Sequence, residues 1–440
     1  MKKAGELLGV MTEYVGPVEL VGGSGKVGLL TRLGQSNLNE QIDGYKMVRT
    51  MEQSDWTSRK RVETTLAHQE PDRVPYDLGG SILTGIHQKA YRRLRQYLGL
   101  PEVEIAVEDP IQQLARVHDD IKERLKVDVY GLNPGPPHGF VRPQWTENGY
   151  HKLRDEWGIE WWMPLDGGLY HDMRAHPLAT IQSVSDLAGV KFPDPLDPGR
   201  YEGMAERADD LMNHRQVAYI LGRNAPGIFE IAMWLRGFEN FYADLLANQP
   251  LAEALLDIVC EIKMNYWARS LELVGKNVMM VSEADDLCGQ HGLLIAPSLY
   301  RKLIKPRHAR LFEFIKKHGA TRVRIFYHCC GSVASIIPDL IETGIDILNP
   351  VQVSAAAMDT RTLKRLYGND ITFYGGGVDT QRVLPKGTLA DIRDEVRRRI
   401  EDLAAGGGFI FNTVHNIQAD VPPENIMAMW EAVQEYGVYR

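Results

Sequence analysis

Short runs of β-branched and apolar residues alternate with longer helical patterns from residue 73 to the end of the chain. The helical period is plainest in two sets of apolar residues spaced three or four positions apart: Leu114, Val117, Ile121 and Leu125, and Ile392, Val396, Ile400 and Leu403. The short runs predict eight strands, at 74–77, 127–132, 218–222, 278–282, 323–327, 345–348, 371–374 and 409–411. Strands that alternate with helices form a parallel sheet, and eight of them close a barrel.

The pattern therefore predicts an α/β protein whose residues 56–440 form a single TIM (β/α)8 barrel. An open, doubly wound sheet is the structural alternative. It is disfavoured because no Gly-x-Gly-x-x-Gly motif follows the first predicted strand, and because polar side chains follow nearly every strand.

Two segments interrupt the barrel pattern. Residues 1–55 contain a Gly-Gly-Ser-Gly run and little periodicity, which predicts a partly flexible N-terminal extension, with an accessory element as the alternative. Residues 139–164 contain four tryptophans and predict an inserted β-hairpin. We interpret those tryptophans as a packing cluster in preference to a binding cage.

Charge and cysteine content narrow the function classes. The 440 residues include 50 Lys and Arg against 58 Asp and Glu, a net charge of −8, which disfavours a nucleic-acid or anionic-membrane binder. Four cysteines cannot form a disulfide framework in a chain of this length, which indicates a reducing compartment. With no signal peptide and no apolar run of about 18 residues, we expect a cytoplasmic protein.

Polar side chains cluster where the predicted strands end, which is where a TIM barrel builds its active site. This distribution predicts an enzyme. The candidate acid or base residues are Glu283 and Asp77. We interpret Asp286, three residues after Glu283, as a helix cap. The candidate substrate-binding residues are Asn133, Arg223, Asp285, Asn349, Gln352, Asp379 and Asn412.

The sequence His328-Cys329-Cys330 is the sharpest candidate for metal chemistry. On an extended segment alternate side chains share a face, so His328 and Cys330 point one way and Cys329 points the other. Imidazole and thiolate are ligands that Zn²⁺ prefers, and a catalytic zinc site needs a third protein ligand. The candidates for that ligand are His415, Glu283 and Asp285. The alternative is that Cys330 is a small buried apolar residue and His328 a local hydrogen-bonding group.

These residues lie in segments that resemble the uroporphyrinogen decarboxylase superfamily, with a likeness that extends over about residues 57–438. The matching motifs are Arg61-Val62 with Glu70 to Asp77, Phe326 to Ser332, Asp346 to Gln352, Gly376 to Asp379, and Pro422 to Ile426. The resemblance implies a single TIM-barrel domain, in agreement with the strand count.

The resemblance also implies a choice between two branches of that superfamily. The true decarboxylases carry an arginine-containing Met-Arg-Gln-Ala-Gly-Arg stretch near the first strand, whereas residues 76–81 of this chain contain no arginine. The other branch consists of zinc-dependent methyltransferases that exchange methyl groups with a corrinoid protein. Their His-x-Cys pair matches His328 and Cys330, and their later zinc-binding cysteine corresponds to His415.

Three functions follow as hypotheses. The first is a zinc-dependent methyltransferase that moves a methyl group between a small molecule and the corrinoid (cobalamin) of a partner protein, with zinc on His328, Cys330 and His415. The second is a metal-free decarboxylase or lyase, and the third is a non-catalytic subunit that docks a corrinoid protein. The identity of the methyl donor or acceptor and the oligomeric state stay open.

Overall fold

Seven parallel strands form a curved sheet at the centre of the computed structural model, which describes residues 56–320 and 322–440. Within those residues, the strands are β1 (Val107–Asp109), β2 (Leu114–Ala115), β3 (Val129–Leu132), β4 (Gln144–Glu147), β5 (Tyr150–Arg154), β6 (Glu160–Pro164), β7 (Asp172–Ala175), β8 (Ala218–Leu221), β9 (Met280–Ala284), β10 (Cys288–Gly289), β11 (Gly292–Leu293), β12 (Arg324–His328), β13 (Ile347–Asn349), β14 (Thr372–Tyr374) and β15 (Phe409–Ile410). The predicted extension over residues 1–55 lies outside the described residues.

Helices connect the central strands. They are α1 (Ser58–Leu66), α2 (Gln88–Tyr97), α3 (Asp119–Arg124), α4 (Met204–Asp209), α5 (Ile228–Arg236), α6 (Phe238–Ala247), α7 (Gln249–Val274), α8 (Pro297–Leu299), α9 (Lys305–His318), α10 (Ile337–Thr343), α11 (Thr360–Tyr367), α12 (Val383–Lys386), α13 (Leu389–Leu403) and α14 (Pro423–Tyr436). None of these helices combines the length and the apolar character that crossing a lipid bilayer requires.

The central sheet has the order β15-β14-β13-β12-β9-β8-β3. Its register places the end of β12 between two neighbours, because His328 is level with Ala284 of β9 and with Asn349 of β13. Since the strands are parallel, the residues that follow them meet at one edge. The predicted TIM-barrel fold class is confirmed, and that edge is where the candidate site residues lie.

The first predicted strand, 74–77, closes the ring through isolated backbone bonds and not through a ladder. The Asp77 N–H donates to the Phe411 carbonyl at 3.0 Å, the Phe411 N–H donates to Pro75 at 2.8 Å, and the Asp128 N–H donates to Tyr76 at 2.8 Å. A longer ladder does not form because Pro75 has no N–H and the Tyr76 N–H bonds to the side chain of Asp128, at 2.9 Å.

One predicted helix is half wrong. Of the apolar set beginning at Leu114, only Ile121 lies in a helix, α3, while Leu114 belongs to β2. The backbone of that region pairs with another segment instead: the Ala115 N–H donates to the Ile86 carbonyl at 2.9 Å. All four side chains are nevertheless buried. The apolar spacing therefore predicted correctly which residues are buried, but predicted the helical conformation only in part.

The predicted inserted hairpin is a larger element, a four-stranded antiparallel sheet in the order β4-β5-β6-β7. This sheet packs on α5 of the barrel: the Trp161 ring contacts the Trp234 ring edge to face, with centroids 5.2 Å apart. Trp157 and Trp161 are both buried. The insertion therefore forms a wall beside the strand ends.

Candidate metal centre and its cavity

His328, Cys330 and His415 converge at the edge of the barrel where the strands end. His328 is the last residue of β12, Cys330 follows two residues later, and His415 lies in the loop after β15. One ligand atom from each residue lies within 4.8 Å of the other two. The Cys330 Sγ is 3.3 Å from the His328 Nε2, and the two imidazole centroids are 5.5 Å apart with planes at 71°. We call these three residues the triad.

Asn349, at the end of the neighbouring strand β13, fixes the ring of His328. The His328 Nδ1 is 2.6 Å from the Asn349 Oδ1. The Asn349 Nδ2 donates to the Tyr374 carbonyl at 2.9 Å, which orients the amide with its oxygen toward the histidine. The Nδ1 of His328 therefore donates, and its Nε2 presents a lone pair toward Cys330. This is the support that metal-binding histidines commonly have.

Both imidazoles are neutral around pH 7. Burial lowers the pKa of His328 to about 3, because the imidazolium loses its hydration and Arg223 adds repulsion. Burial, together with His328, lowers the pKa of His415 to about 4. Neutral imidazole is the form that binds a metal ion.

Burial, with Asp286 and Glu230 nearby, raises the pKa of the Cys330 thiol well above its usual range. A bound cation would favour the thiolate at this position, since metal coordination deprotonates a thiol. Cys329 is excluded from the triad: it is fully buried, and contact with Cys288 together with burial raises the pKa of its thiol. The alternation expected along residues 328–330 is thus present.

The triad opens into a cavity of about 660 Å³. Its lining includes His328 and His415 of the triad and the indoles of Trp157, Trp161 and Trp234. Arg223 and Asn224, from the loop after β8, contribute buried polar atoms, the Nε and the Oδ1, that have no partner among the described residues. The cavity thus combines a broad apolar wall with a few polar atoms available to a ligand, as small-molecule sites do.

Two acidic side chains of the cavity, Asp286 and Glu230, were not among the predicted site residues. The interpretation of Asp286 as a helix cap is wrong: it precedes β10, and its Oδ1 accepts the Cys330 N–H at 2.7 Å and lies 3.9 Å from the His328 Nε2. Glu230 lies in the first turn of α5 and is 8% exposed. A signal existed for Glu230, because it is a lone carboxylate in the apolar run Ile228–Leu235 of a buried helix.

The predicted acid or base residues lie elsewhere in the protein. Glu283 is buried and forms an ion pair with Lys263 at 3.0 Å, and it accepts the indole N–H of Trp267 at 2.5 Å. Asp77 is buried and accepts hydrogen bonds from the Tyr374 hydroxyl and the Gly80 N–H, both at 2.8 Å. Neither is among the described residues that line the cavity.

The predicted substrate-binding residues divide into two groups. Asn133 and Arg223 line the cavity. The other five bond to the protein: Asp285 accepts the N–H groups of Phe229 and Glu230 and contacts His308, Asn349 supports His328, Gln352 accepts the Gly331 N–H, Asp379 accepts the Gln381 N–H, and Asn412 donates to the Asp77 carbonyl. These five residues shape the strand ends around the cavity.

A first prediction concerns the support of His328 by Asn349. Asn349→Leu removes the acceptor of the Nδ1 hydrogen bond, so we expect zinc affinity to fall by about 10–100-fold, the range usual for such supporting partners. Asn349→Asp keeps an acceptor for the Nδ1 bond but cannot donate to the Tyr374 carbonyl, so its loss of affinity should be smaller than that of Asn349→Leu. Competition with a chromophoric chelator measures both. Equal affinity in the wild type and Asn349→Leu would show that Asn349 does not hold the ligand.

The fold and the site together define a TIM-barrel enzyme with a His-Cys-His cluster at the mouth of an apolar cavity. The chain belongs to the uroporphyrinogen decarboxylase family, since the sequence profile described as uroporphyrinogen decarboxylase (URO-D) matches residues 170–436. This confirms the family resemblance stated from the motifs.

Similar proteins of known name include decarboxylases, by sequence, and a methyltransferase, by fold. A uroporphyrinogen decarboxylase of Thermus thermophilus is 25% identical over 368 residues, which cover 80% of this chain and 91% of that protein. The Pseudoalteromonas translucida enzyme of the same name is 24% identical over 281 residues, 61% of this chain and 74% of that protein. Among solved structures, a methyltransferase from Methanosarcina mazei aligns with a TM-score of 0.58 and 20% identity over 87% of this chain and 99% of that one. This last likeness concerns the fold.

Proposed function

We propose that the protein is a zinc-dependent methyltransferase that moves a methyl group between a small molecule and the corrinoid of a partner protein. The observation that carries the proposal is the convergence of the three ligand atoms of the triad within 4.8 Å beside the cavity. In this proposal the triad holds the metal and the cavity holds the methyl donor or acceptor.

The donor set fits zinc. Two neutral imidazoles and one thiol are ligands of the type that zinc prefers, and a catalytic zinc keeps one position open for water or substrate. The separation of 3.3 Å between the Cys330 Sγ and the His328 Nε2 is close to the roughly 3.5 Å expected between two ligands of a tetrahedral zinc. Bound zinc would supply a Lewis acid that polarises a heteroatom of the substrate.

The residues of the chain have three tasks in this reaction. His328, Cys330 and His415 bind the metal, with Asn349 orienting His328. The apolar wall of Trp157, Trp161 and Trp234 excludes water from the methyl group and positions it. The polar atoms of Arg223, Asn224 and Asn133 orient the rest of the substrate.

The alternative function is decarboxylation of a tetrapyrrole, and it is supported by the names of the sequence relatives. Two features disfavour it. Residues 76–81 offer no arginine to a polycarboxylate. Of the four described arginines that line the cavity, Arg116 and Arg200 are already paired, with Glu108 and Glu156, which leaves Arg142 and Arg223 for a substrate with many carboxylates. The non-catalytic docking subunit is disfavoured because the triad and its cavity have no use in it.

The corrinoid partner and the compartment belong to the same proposal. The four cysteines are free thiols, which suits the reducing cytoplasm. The methyl-accepting face of the partner's corrinoid would approach the barrel at the strand ends, where the cavity opens.

The experiment that tests the proposal uses free cob(I)alamin in place of the partner protein. Zinc-loaded enzyme is mixed with methoxylated aromatics, methylamines, methanol or methyl thiols, and absorbance follows the change from Co(I) to methyl-Co(III). We expect methylation with at least one of these donor classes. Absence of methylation with every class, and with the purified corrinoid partner, would contradict the proposal.

A further inference from the structure

Glu230 is held in place at the entrance of α5. Its backbone N–H donates to the Asp285 Oδ1 at 2.7 Å, and its Oε2 accepts the Gly227 N–H at 3.1 Å. Asp285 is in turn fixed by His308, whose Nε2 is 2.8 Å from the Asp285 Oδ2. The carboxyl group of Glu230 is therefore positioned by the fold, with one oxygen anchored to the backbone and the other unassigned to any protein donor in the described residues.

The same side chain faces the cavity of the triad. Glu230 lines that cavity together with Asp286, His328 and His415. The charged groups around it are Asp286 and Asp285 from the loop after β9 and Arg223 from the loop after β8. Burial, followed by the repulsion of the two aspartates, raises the pKa of Glu230 to about 8, against the smaller opposing effect of Arg223. Burial and the two aspartates therefore favour the neutral acid form of Glu230.

Other carboxyl groups near the cavity are already engaged. Glu156 is ion-paired with Arg200, and Glu108 with Arg116. Asp286 accepts the Cys330 N–H and so belongs to the support of the triad. Glu283 and Asp77 lie away from the cavity, bonded to Lys263 and Tyr374. Asp109 and Asp155 also line the cavity, but each already accepts three hydrogen bonds. Among the described carboxyl groups that line the cavity, Glu230 has no cationic partner, a single backbone donor and no hydrogen bond to the triad.

We propose that Glu230 is the acid that protonates the departing oxygen of the methyl donor, and that the donors are oxygen methyl ethers, whose organic group the apolar wall of Trp157, Trp161 and Trp234 would hold. This inference rests on the proposed methyl-transfer function. When a methyl ether transfers its methyl group, the group that departs is an alkoxide or phenoxide, which is a poor leaving group unless it receives a proton. Quaternary ammonium and sulfonium donors release a neutral amine or thioether and need no acid.

Methyl transfer to cobalt and proton transfer from Glu230 together complete the proposed reaction. The two electrons of Co(I) form a bond to the methyl carbon, and the bond between that carbon and oxygen breaks with its electron pair on oxygen. Glu230 transfers its proton to that oxygen, giving R–OH and the Glu230 carboxylate, while cobalt becomes methyl-Co(III). Water that enters after product release reprotonates Glu230. The neighbouring Asp285 and Asp286 favour this return to the neutral acid.

The first arm of the test does not depend on activity. Infrared spectra of zinc-loaded wild type and Glu230→Gln at pH 7 are compared in the region of the protonated carboxylic acid C=O stretch. We expect a band in the wild type that Glu230→Gln lacks. The matched control is Glu156→Gln, which alters an ion-paired carboxylate of the same cavity and should keep the band. A wild type without a band assignable to Glu230 would overturn the inference.

The second arm compares donors with free cob(I)alamin. Glu230→Gln should slow transfer from methoxybenzene by about 10²-fold or more, the contribution usual for a general acid. Transfer from 4-nitromethoxybenzene, whose leaving group needs less help, should fall by less than about tenfold. Transfer from tetramethylammonium ion, where the enzyme catalyses it, should be unchanged. Zinc content equal to that of the wild type establishes that the triad is intact in the variant.

The outcomes separate the inference from the function it deepens. Transfer by the wild type with equal losses for all donors in Glu230→Gln would mean that Glu230 only positions the substrate, which overturns the inference. Transfer from tetramethylammonium ion but from neither ether would overturn the donor class. Transfer from no donor at all would overturn the proposed function and the inference with it.

Discussion

Cys330→Ser should lose bound zinc and methyl-transfer activity together, whereas Cys329→Ser should keep both. The physical reason is the alternation of side chains along residues 328–330, which places the Cys330 Sγ 3.3 Å from the His328 Nε2 and buries Cys329 away from the triad, against Cys288. Serine is a much poorer zinc ligand than a thiolate. Removing one of three ligands leaves two, too few for a catalytic zinc.

Elemental analysis and the cobalamin assay measure this pair of variants. Protein purified from zinc-replete medium should contain about one zinc per chain in the wild type and in Cys329→Ser. Cys330→Ser should contain far less, and its methyl transfer should fall to the rate without enzyme. Equal zinc in the two variants would rule out the triad as the metal site.

Glu283→Gln should lower the free energy of unfolding by about 3–5 kcal/mol, because it leaves the Lys263 ammonium buried without a counter-charge. Lys263 and Glu283 are 0% and 2% exposed in their side chains and pair at 3.0 Å. The Lys263 Nζ also donates to the carbonyls of Ala225 and Pro226, at 3.1 and 2.7 Å. The ion pair therefore holds in place the loop after β8, which contains the cavity residues Arg223 and Asn224.

Urea unfolding followed by circular dichroism measures this effect. The matched control is Glu272→Gln, which removes the partner of Arg269 from a solvent-exposed ion pair and should leave the midpoint unchanged. A Glu283→Gln variant as stable as the wild type would show that Glu283 is free for another task, including the acid or base role predicted for it from the sequence.

The fold was largely accessible from the sequence because buried parallel strands produce short apolar runs. Seven of the eight predicted strands overlap strands of the central sheet. The remaining predicted strand, 74–77, forms only isolated backbone bonds. The side chain of Asp128 accepts the Tyr76 N–H, an interaction between residues 52 positions apart. The residues around Leu114 failed as a helix for a similar reason, since pairing with the backbone of Ile86 overrode their periodicity.

The site was accessible in part. The pairing of His328 with Cys330 follows from strand alternation, whereas His415 was one of three candidates for the third ligand and was selected by the family resemblance. Glu283 and Asp77 do not line the cavity, because position at a strand end does not say which partner a side chain meets inside the protein. Glu283 pairs with Lys263 of α7 in the interior, whereas Glu230 reaches the cavity from α5, where no site residue was predicted. Such pairings depend on packing between distant elements.

The most direct test of the central claim offers the purified enzyme both substrates, cob(I)alamin with a methyl donor and uroporphyrinogen, in wild-type and Cys330→Ser forms. Methyl-Co(III) is followed by absorbance and decarboxylation by release of CO₂. The account predicts methylation by the wild type, its loss in Cys330→Ser, and no CO₂ from uroporphyrinogen with either protein. Release of CO₂ from uroporphyrinogen that persists in Cys330→Ser would contradict the account.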